Sequence, residues 1–175
     1  MQHVTIRRGR TRDAVPLAAL AGQTFTDTFG HLYPPEDLAT FITDYQSVST
    51  YARLLGDPNV GIWLADVDEH EAVGFVSVGK CKLPVPDLDP KAGEIRQLYV
   101  LNRFHGHGLG SRLLKMALTW LEERAFEPLY VGVWSENLGA QRLYERHGFH
   151  KSGEYEFPVG KTRDLEFILE RRATR

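Results

Sequence analysis

Cysteine is nearly absent from these 175 residues. Cys81 stands alone, so no intramolecular disulfide can form, and it reads as an inert strand residue rather than a nucleophile. A basic excess is also missing. Lys and Arg total 21 against 23 Asp and Glu, a net charge of -2, which argues against general nucleic-acid binding. No window reaches eighteen apolar residues, and the opening MQHVTIRRGRTRD has no apolar h-region, so neither a membrane span nor a signal peptide is expected. A cytoplasmic setting fits these absences. There are no internal repeats and no low-complexity segments. Metal ligands are sparse too. His105-x-His107 and His147-x-x-His150 each offer two nitrogens without a third or fourth ligand at typical spacing, so no metal site is expected.

What is present suits one packed domain over residues 1–175, with 42% hydrophobic and 25% charged residues, both ordinary for a globular protein. Residues 4–7 alternate as a first strand. Thr11 or Asp13 can cap a helix through Leu17, Leu20, Ala21 and Phe25, ended by Phe29-Gly30. Pro34-Pro35-Glu36-Asp37 starts a second helix, with proline in the first turn and acids suited to the dipole. A third runs near residues 47–55. Residues 60–67 and 72–82 read as an antiparallel hairpin around the acidic tip Asp68-Glu69-His70. A proline-bearing loop, 83–92, leads to a strand at 94–100. Helix 108–125 carries Leu109, Leu113, Met116, Ala117, Trp120 and Leu121 on one side. A strand at 129–133 and a helix at 137–147, closed by Gly148, follow. Residues 149–157 and 164–169 form a last hairpin through Pro158-Val159-Gly160-Lys161. The pattern predicts an α/β fold: a mixed sheet of about six to seven strands, helices on both faces, and a parallel strand–helix–strand unit at the centre.

The glycine loop 103–110 lies between an apolar strand and a long amphipathic helix, where backbone N–H groups form a ready anion site. It is not a Walker A loop, because no lysine follows a glycine there. Nor is it a dinucleotide loop: five residues separate the strand from Gly106, and Gly110 comes one residue early for G-x-G-x-x-G. Arg103 and Arg112 flank it, as phosphate ligands or as solvated surface charges.

The loop resembles the pyrophosphate loop of the GNAT superfamily, the GCN5-related N-acetyltransferases, whose frame is Gln/Arg-x-x-Gly-x-Gly/Ala after a strand reading Leu-x-Val. Here His105-x-x-Gly108-x-Gly110 follows Leu98-Tyr99-Val100, and Asn137, Ala140, Tyr144 and Gly148-Phe149 match the family's second half. His105 departs from the family's Arg or Gln, which makes any phosphate contact there pH-dependent. The resemblance implies a GNAT fold with a splayed parallel strand pair. It also implies acetyl-CoA as co-substrate, its pyrophosphate on His105, Gly106, His107, Gly108, Leu109, Gly110 and Ser111. Its pantetheine arm would pair with the backbone of Leu98, Tyr99 and Val100, as an added strand would. Asn137 and Ala140 would border that arm, although Asn137 is equally a helix N-cap. Tyr144 shares a helix face with Asn137 and is the candidate general acid, since a phenol near pKa ~10 keeps the proton that a departing thiolate near ~8.5 needs. The alternative is a core tyrosine with its hydroxyl bonded elsewhere. Glu94 is the candidate base, acting through water, or else a strand-end charge.

The N-terminal helical region suggests the acceptor. Phe25, Phe29 and Tyr33, with Asp27, Glu36 and Asp37, combine aromatics and carboxylates suited to an extended cation. Gln97 and Trp134 are further candidate lining residues. T-F-x-D-T-F-G-H, the P-E-D helix start, E-I-x-x-L-Y-V and G-V-W-x-E-N resemble bacterial spermidine/spermine N-acetyltransferases. The implied reaction is direct attack of a small primary amine on the thioester. Acetylation of a protein N-terminus or lysine, acetylation of an antibiotic or amino acid, and a non-catalytic CoA-binding module remain open. So does a homodimer.

Overall fold

The computed structural model describes residues 3–68 and 71–174. Seven strands form one sheet in the order β1-β2-β3-β4-β5-β7-β6. They are β1 (Val4–Arg8), β2 (Gly61–Val67), β3 (Glu71–Lys80), β4 (Gly93–Val100), β5 (Leu129–Trp134), β6 (His150–Val159) and β7 (Thr162–Arg171). Every neighbouring pair is antiparallel except β4 and β5. The helices are α1 (Ala14–Phe29), α2 (Pro35–Tyr45), α3 (Val48–Gly56), α4 (Leu109–Glu123) and α5 (Leu138–Arg146). Successive side chains of a strand point to opposite faces, and β3 shows both. Phe75 meets Tyr51 of α3 edge-on, with ring centroids 6.2 Å apart, whereas the Gly74 side receives Leu113 of α4. Helices therefore cover both faces, as expected.

Several local expectations needed correction. Asp13 does not cap α1. Its buried carboxylate accepts two hydrogen bonds from the Arg7 guanidinium, at 2.8 and 3.0 Å, and one from the Arg10 N–H at 2.7 Å. A fork of charged donors outcompetes the helix amides. Met116 is 41% exposed, because Leu113, Leu114, Ala117, Leu118 and Leu121 already fill the buried stripe of α4. The last hairpin turns on two residues only: Val159 pairs with Thr162, so Pro158 and Val159 belong to β6. Proline is tolerated there because β6 is an edge strand. Of the acidic hairpin tip, Glu69 and His70 lie outside the described residues.

The site depends on a departure from regular pairing. β4 and β5 pair only through Gly93↔Leu129, Glu94↔Tyr130 and Ile95↔Val131. Beyond that point both strands continue without pairing to each other. On its other side β4 carries a bulge, since Ser77 opposes Gln97 while Val78 opposes Ile95, which leaves Arg96 as the extra residue. A bulge bends its strand and increases its twist. The predicted splay is the consequence.

Candidate active site

A cavity of about 210 Å³ opens between the parted strands, lined by residues 94–99 of β4 and 131–134 of β5. Gly132 forms part of its floor. A Cβ there would come within 2.9 Å of the Tyr155 hydroxyl and 3.2 Å of Glu166 Oε2. The missing side chain makes room for both groups.

Tyr144 enters from α5. The helix ends in a Schellman turn: Gly148 takes φ +88°, and the Phe149 N–H donates to the Tyr144 carbonyl at 3.1 Å. Such a turn brings the residue after the glycine onto the third residue from the helix end. Here that contact is Phe149 on Tyr144, with centroids 5.8 Å apart. The Gly-Phe pair thus fixes the tyrosine that lines the cavity. Tyr144 is 5% exposed, and burial together with the charge of Glu166 pushes its proton affinity up, so it stays protonated. Its ring packs in the hydrophobic core, and burial and Glu166 are what set its proton affinity. Asn137 also lines the cavity, yet its Oδ1 caps α5 by accepting from the Ala140 N–H at 3.1 Å. Its amide nitrogen and the second lone pair of Oδ1 remain to meet a ligand.

Two carboxylates line the cavity. Glu94 is 8% exposed, and its Oε2 accepts the Lys82 N–H at 2.8 Å. Burial raises its pKa, with that N–H and the charges of Arg96 and Lys82 pulling it back. Glu166 of β7 accepts from the Tyr155 hydroxyl at 3.1 Å. Burial lifts it to about 7, against the Tyr155 bond and with help from Asp164.

The aromatic wall assembles as expected. Phe25, Phe29, Tyr33 and Trp134 line the cavity, joined by Phe41 and Phe157. Phe25 stacks on Phe41 at 4.7 Å, and Phe29 meets Trp134 edge-on at 5.7 Å. The Tyr33 hydroxyl donates to Asp164, tying the segment after α1 to β7. The expected acids are elsewhere. Asp27 and Glu36 are exposed, Asp37 leans against the Gly160 turn, and none of the three lines the cavity. The first turn of α2 holds Glu36 and Asp37 near its N–H dipoles instead. Gln97 lines the cavity, but its amide is engaged: Nε2 donates to the Tyr51 hydroxyl at 2.9 Å, and Oε1 accepts from Ser77 at 3.1 Å.

At the other end of the splay, Leu98 and Tyr99 line the cavity, whereas Val100 and residues 105–111 lie beyond it. One lone pair of the Val100 carbonyl is already taken by His105 Nε2 at 2.7 Å, and His107 Nδ1 donates to the His105 carbonyl at 2.8 Å. Both rings turn inward on the loop. Gly106 and Gly108 adopt φ +79° and +74°, and a Cβ at either position would meet nothing within 4 Å, so open space lies above them. Gly108 is the N-cap of α4, and no side chain caps the first turn. Leu109 itself is buried in the core, so only its backbone faces outward. The Ser111 hydroxyl donates to His147 Nε2 at 3.2 Å. The two flanking arginines are occupied, Arg103 by Glu71 and Arg112 by the Val4 carbonyl at 3.1 Å. Cys81 is buried, which pushes its thiol up to about 11 and leaves it without nucleophilic thiolate near neutral pH.

Glu166, Tyr155 and Gln46 were not anticipated. In the alternating strand sequence Glu166 takes a polar position that looks solvent-facing, and only the insertion of β7 between β5 and β6 turns it to the cavity. Gln46, just past α2, is 5% exposed and lines the cavity with an unpartnered Oε1. Among the described residues no group of three or more His, Cys, Asp or Glu could hold a metal, and no helix is long and apolar enough to cross a membrane.

Comparison with known proteins agrees with this geometry. The chain is 28% identical over 171 residues to an uncharacterized N-acetyltransferase from the pepI 3′ region of Lactobacillus delbrueckii subsp. lactis, covering 98% of each. A spermine/spermidine N(1)-acetyltransferase of Bacillus subtilis is 34% identical over 92 residues, 51% of this chain and 59% of that one. The fold matches that of the PaiA N-acetyltransferase of Thermoplasma acidophilum in complex with coenzyme A. The TM-score is 0.78 at 16% identity, with 98% of this chain and 99% of that one covered. Residues 21–149 match the profile of the Acetyltransferase (GNAT) family, and the chain belongs to that family of acetyl-CoA-dependent N-acetyltransferases.

Proposed function

We propose that this N-acetyltransferase acts in the cytoplasm on a small polyamine such as spermidine or spermine. The observation that carries the reading is the cavity wall. Aromatic side chains surround the buried carboxylate of Glu94 and the partly buried one of Glu166, and Gln46 adds an acceptor oxygen without a partner. Aromatic faces and carboxylates both favour a cation over a neutral acceptor. The Bacillus relative's activity on spermine and spermidine points the same way.

The residues fit acetyl-CoA. The uncapped first turn of α4 under an open Gly106–Gly108 surface suits a pyrophosphate, and the unpaired edges of β4 and β5 suit an extended amide-bearing arm. The co-substrate supplies the acetyl group as a thioester. Tyr144 holds the proton that the leaving sulfur requires. The Leu98 or Tyr99 N–H lies on the free edge of β4, where it can donate to a developing oxyanion.

The test is thiol release from acetyl-CoA with spermidine, spermine, a lysine peptide and an aminoglycoside as parallel acceptors. Release that depends on spermidine or spermine is expected. Release with the peptide or the aminoglycoside alone refutes the polyamine assignment, and acetyl-CoA binding without release to any of the four amines refutes it too, leaving another acceptor or a CoA-binding module.

A further inference from the structure

We infer that Glu166 on β7 is the general base that takes a proton from the incoming ammonium group. The inference rests on the amine-acetyltransferase reading above. An alkyl ammonium near pKa ~10.4 must lose a proton before its nitrogen can attack. Glu94 was the expected acceptor, but it is the less suited of the two carboxylates. Burial raises its pKa, but its Oε2 is held by the Lys82 N–H, and that bond with the charges of Arg96 and Lys82 pulls the carboxyl back toward its charged form. Glu166 has no cation among the groups that set its ionisation. Its one protein hydrogen bond comes from Tyr155, and the pair stands over the bare backbone of Gly132.

Position agrees. Glu166 pairs across the sheet with Trp134, the last residue of β5, where the strands have already parted. It lines the same cavity as Tyr144, close enough for its charge to raise the phenol's pKa. Base and acid thus reach one cavity from different elements, β7 and α5. The step balances. One ammonium proton passes to Glu166, the nitrogen lone pair forms the C–N bond, the C–S bond breaks, and the thiolate takes the Tyr144 proton. The second proton shed by the nitrogen restores the Tyr144 hydroxyl, and Glu166 releases its own to solvent. A carboxyl poised at about 7 matches this work near neutral pH.

The groups facing Glu166 are the phenols Tyr155 of β6, Tyr33, Tyr99 of β4 and Tyr144, with Asp164 on its own strand. Glu94 and Arg96 of β4 line the same cavity. The phenols stay neutral across the working range because burial raises each of them.

The experiment is a pH profile of kcat/KM for spermidine at saturating acetyl-CoA. Wild type should show an acid limb near neutrality. Glu166→Gln should lower kcat/KM by about 100-fold and abolish that limb, with acetyl-CoA affinity unchanged. Glu94→Gln should keep the limb. Tyr155→Phe should move it to higher pH, because the bond that favours the carboxylate is gone. A readout independent of turnover is the 13C titration of the Glu166 carboxyl in the protein without acetyl-CoA, assigned by its loss in Glu166→Gln. A midpoint near neutrality is expected, and an ordinary carboxylate midpoint overturns the inference. With an active wild type, an acid limb that survives Glu166→Gln overturns it alone. A wild type that acetylates no amine overturns the function reading and this inference together.

Discussion

A carboxyl held at about 7 instead of 4.5 must cost the fold stability whenever it ionises. The cost can be worked out. At about 1.36 kcal/mol per pH unit, the gap of 2.5 between those two values is about 3 kcal/mol. The sign follows from proton binding. Between 4.5 and 7 the folded chain holds this proton more tightly than the unfolded chain. The stabilisation is therefore complete below 4.5 and is lost as pH rises through 7. Glutamine has nearly the same shape, can accept the Tyr155 hydrogen bond, and does not ionise. Glu166→Gln should thus lie close to wild type in stability at pH 5 and exceed it at pH 8 by up to about 3 kcal/mol.

Urea denaturation of both proteins at several pH values, at constant ionic strength, measures this directly. Taking the difference between variant and wild type cancels every distant titrating group. In thermal melts of a chain this size, 1 kcal/mol moves Tm by roughly 2–4 °C, so at pH 8 the variant should melt about 6–12 °C higher. A stability difference that stays flat from pH 5 to 8 would refute the raised proton affinity, and with it the reason for choosing Glu166 over Glu94.

Three further outcomes are expected. Tyr144→Phe should cut kcat by about 100-fold while leaving acetyl-CoA affinity unchanged, as turnover and calorimetry would show; equal turnover removes Tyr144 from the acid role. Asp13→Asn should cost about 1–3 kcal/mol in urea denaturation at pH 7, because hydrogen bonds from Arg7 and the Arg10 N–H lose their charged acceptor. Arg7 holds the Asp13 carboxyl below the usual range, so that deficit should shrink as the pH falls below ~4; a deficit constant down to pH 3 contradicts the ion pair. Gly160→Ala should lower the denaturation midpoint by an amount equal to about 1–2 kcal/mol, since φ is +57° and the new methyl would run into the Asp37 carboxylate. Asp37→Ala should recover part of that loss, and a loss identical in both backgrounds leaves only backbone strain.

The fold was largely legible because its signals are local. The glycines at 106, 108 and 148 all take positive φ, and the turn at Gly148-Phe149 seats Tyr144 through contacts within one turn of the helix end. The aromatic wall was legible for a similar reason, since large apolar residues at helical spacing find the core. The carboxylates were not. Asp27, Glu36 and Asp37 stand near the aromatics in sequence, yet helix geometry turns them outward or onto a distant hairpin. Glu166 lies far from every motif in sequence, and only strand order brings it to the cavity. Asp13 shows the same limit. The start of α1 was correctly located, but Asp13 does not cap it, and its partner Arg7 was visible only once β1 and the start of α1 were side by side.

The cavity is where the local rules of the fold fail together. Arg96 sits in a bulge with a buried Nε that has no partner, Gln46 has an unpartnered buried oxygen, and Glu166 is held at a proton affinity that disfavours its charge. Each feature opposes stability. The buried face of α4 shows no such conflict. A sheet built only for stability would continue the β4–β5 pairing and put an apolar side chain at position 166. Here the pairing stops after Ile95↔Val131, and the space released is closed by groups that can donate, accept or move a proton. Two buried unpartnered polar atoms and the raised carboxyl of Glu166 meet at this one cavity, as the proposed proton-transfer role calls for.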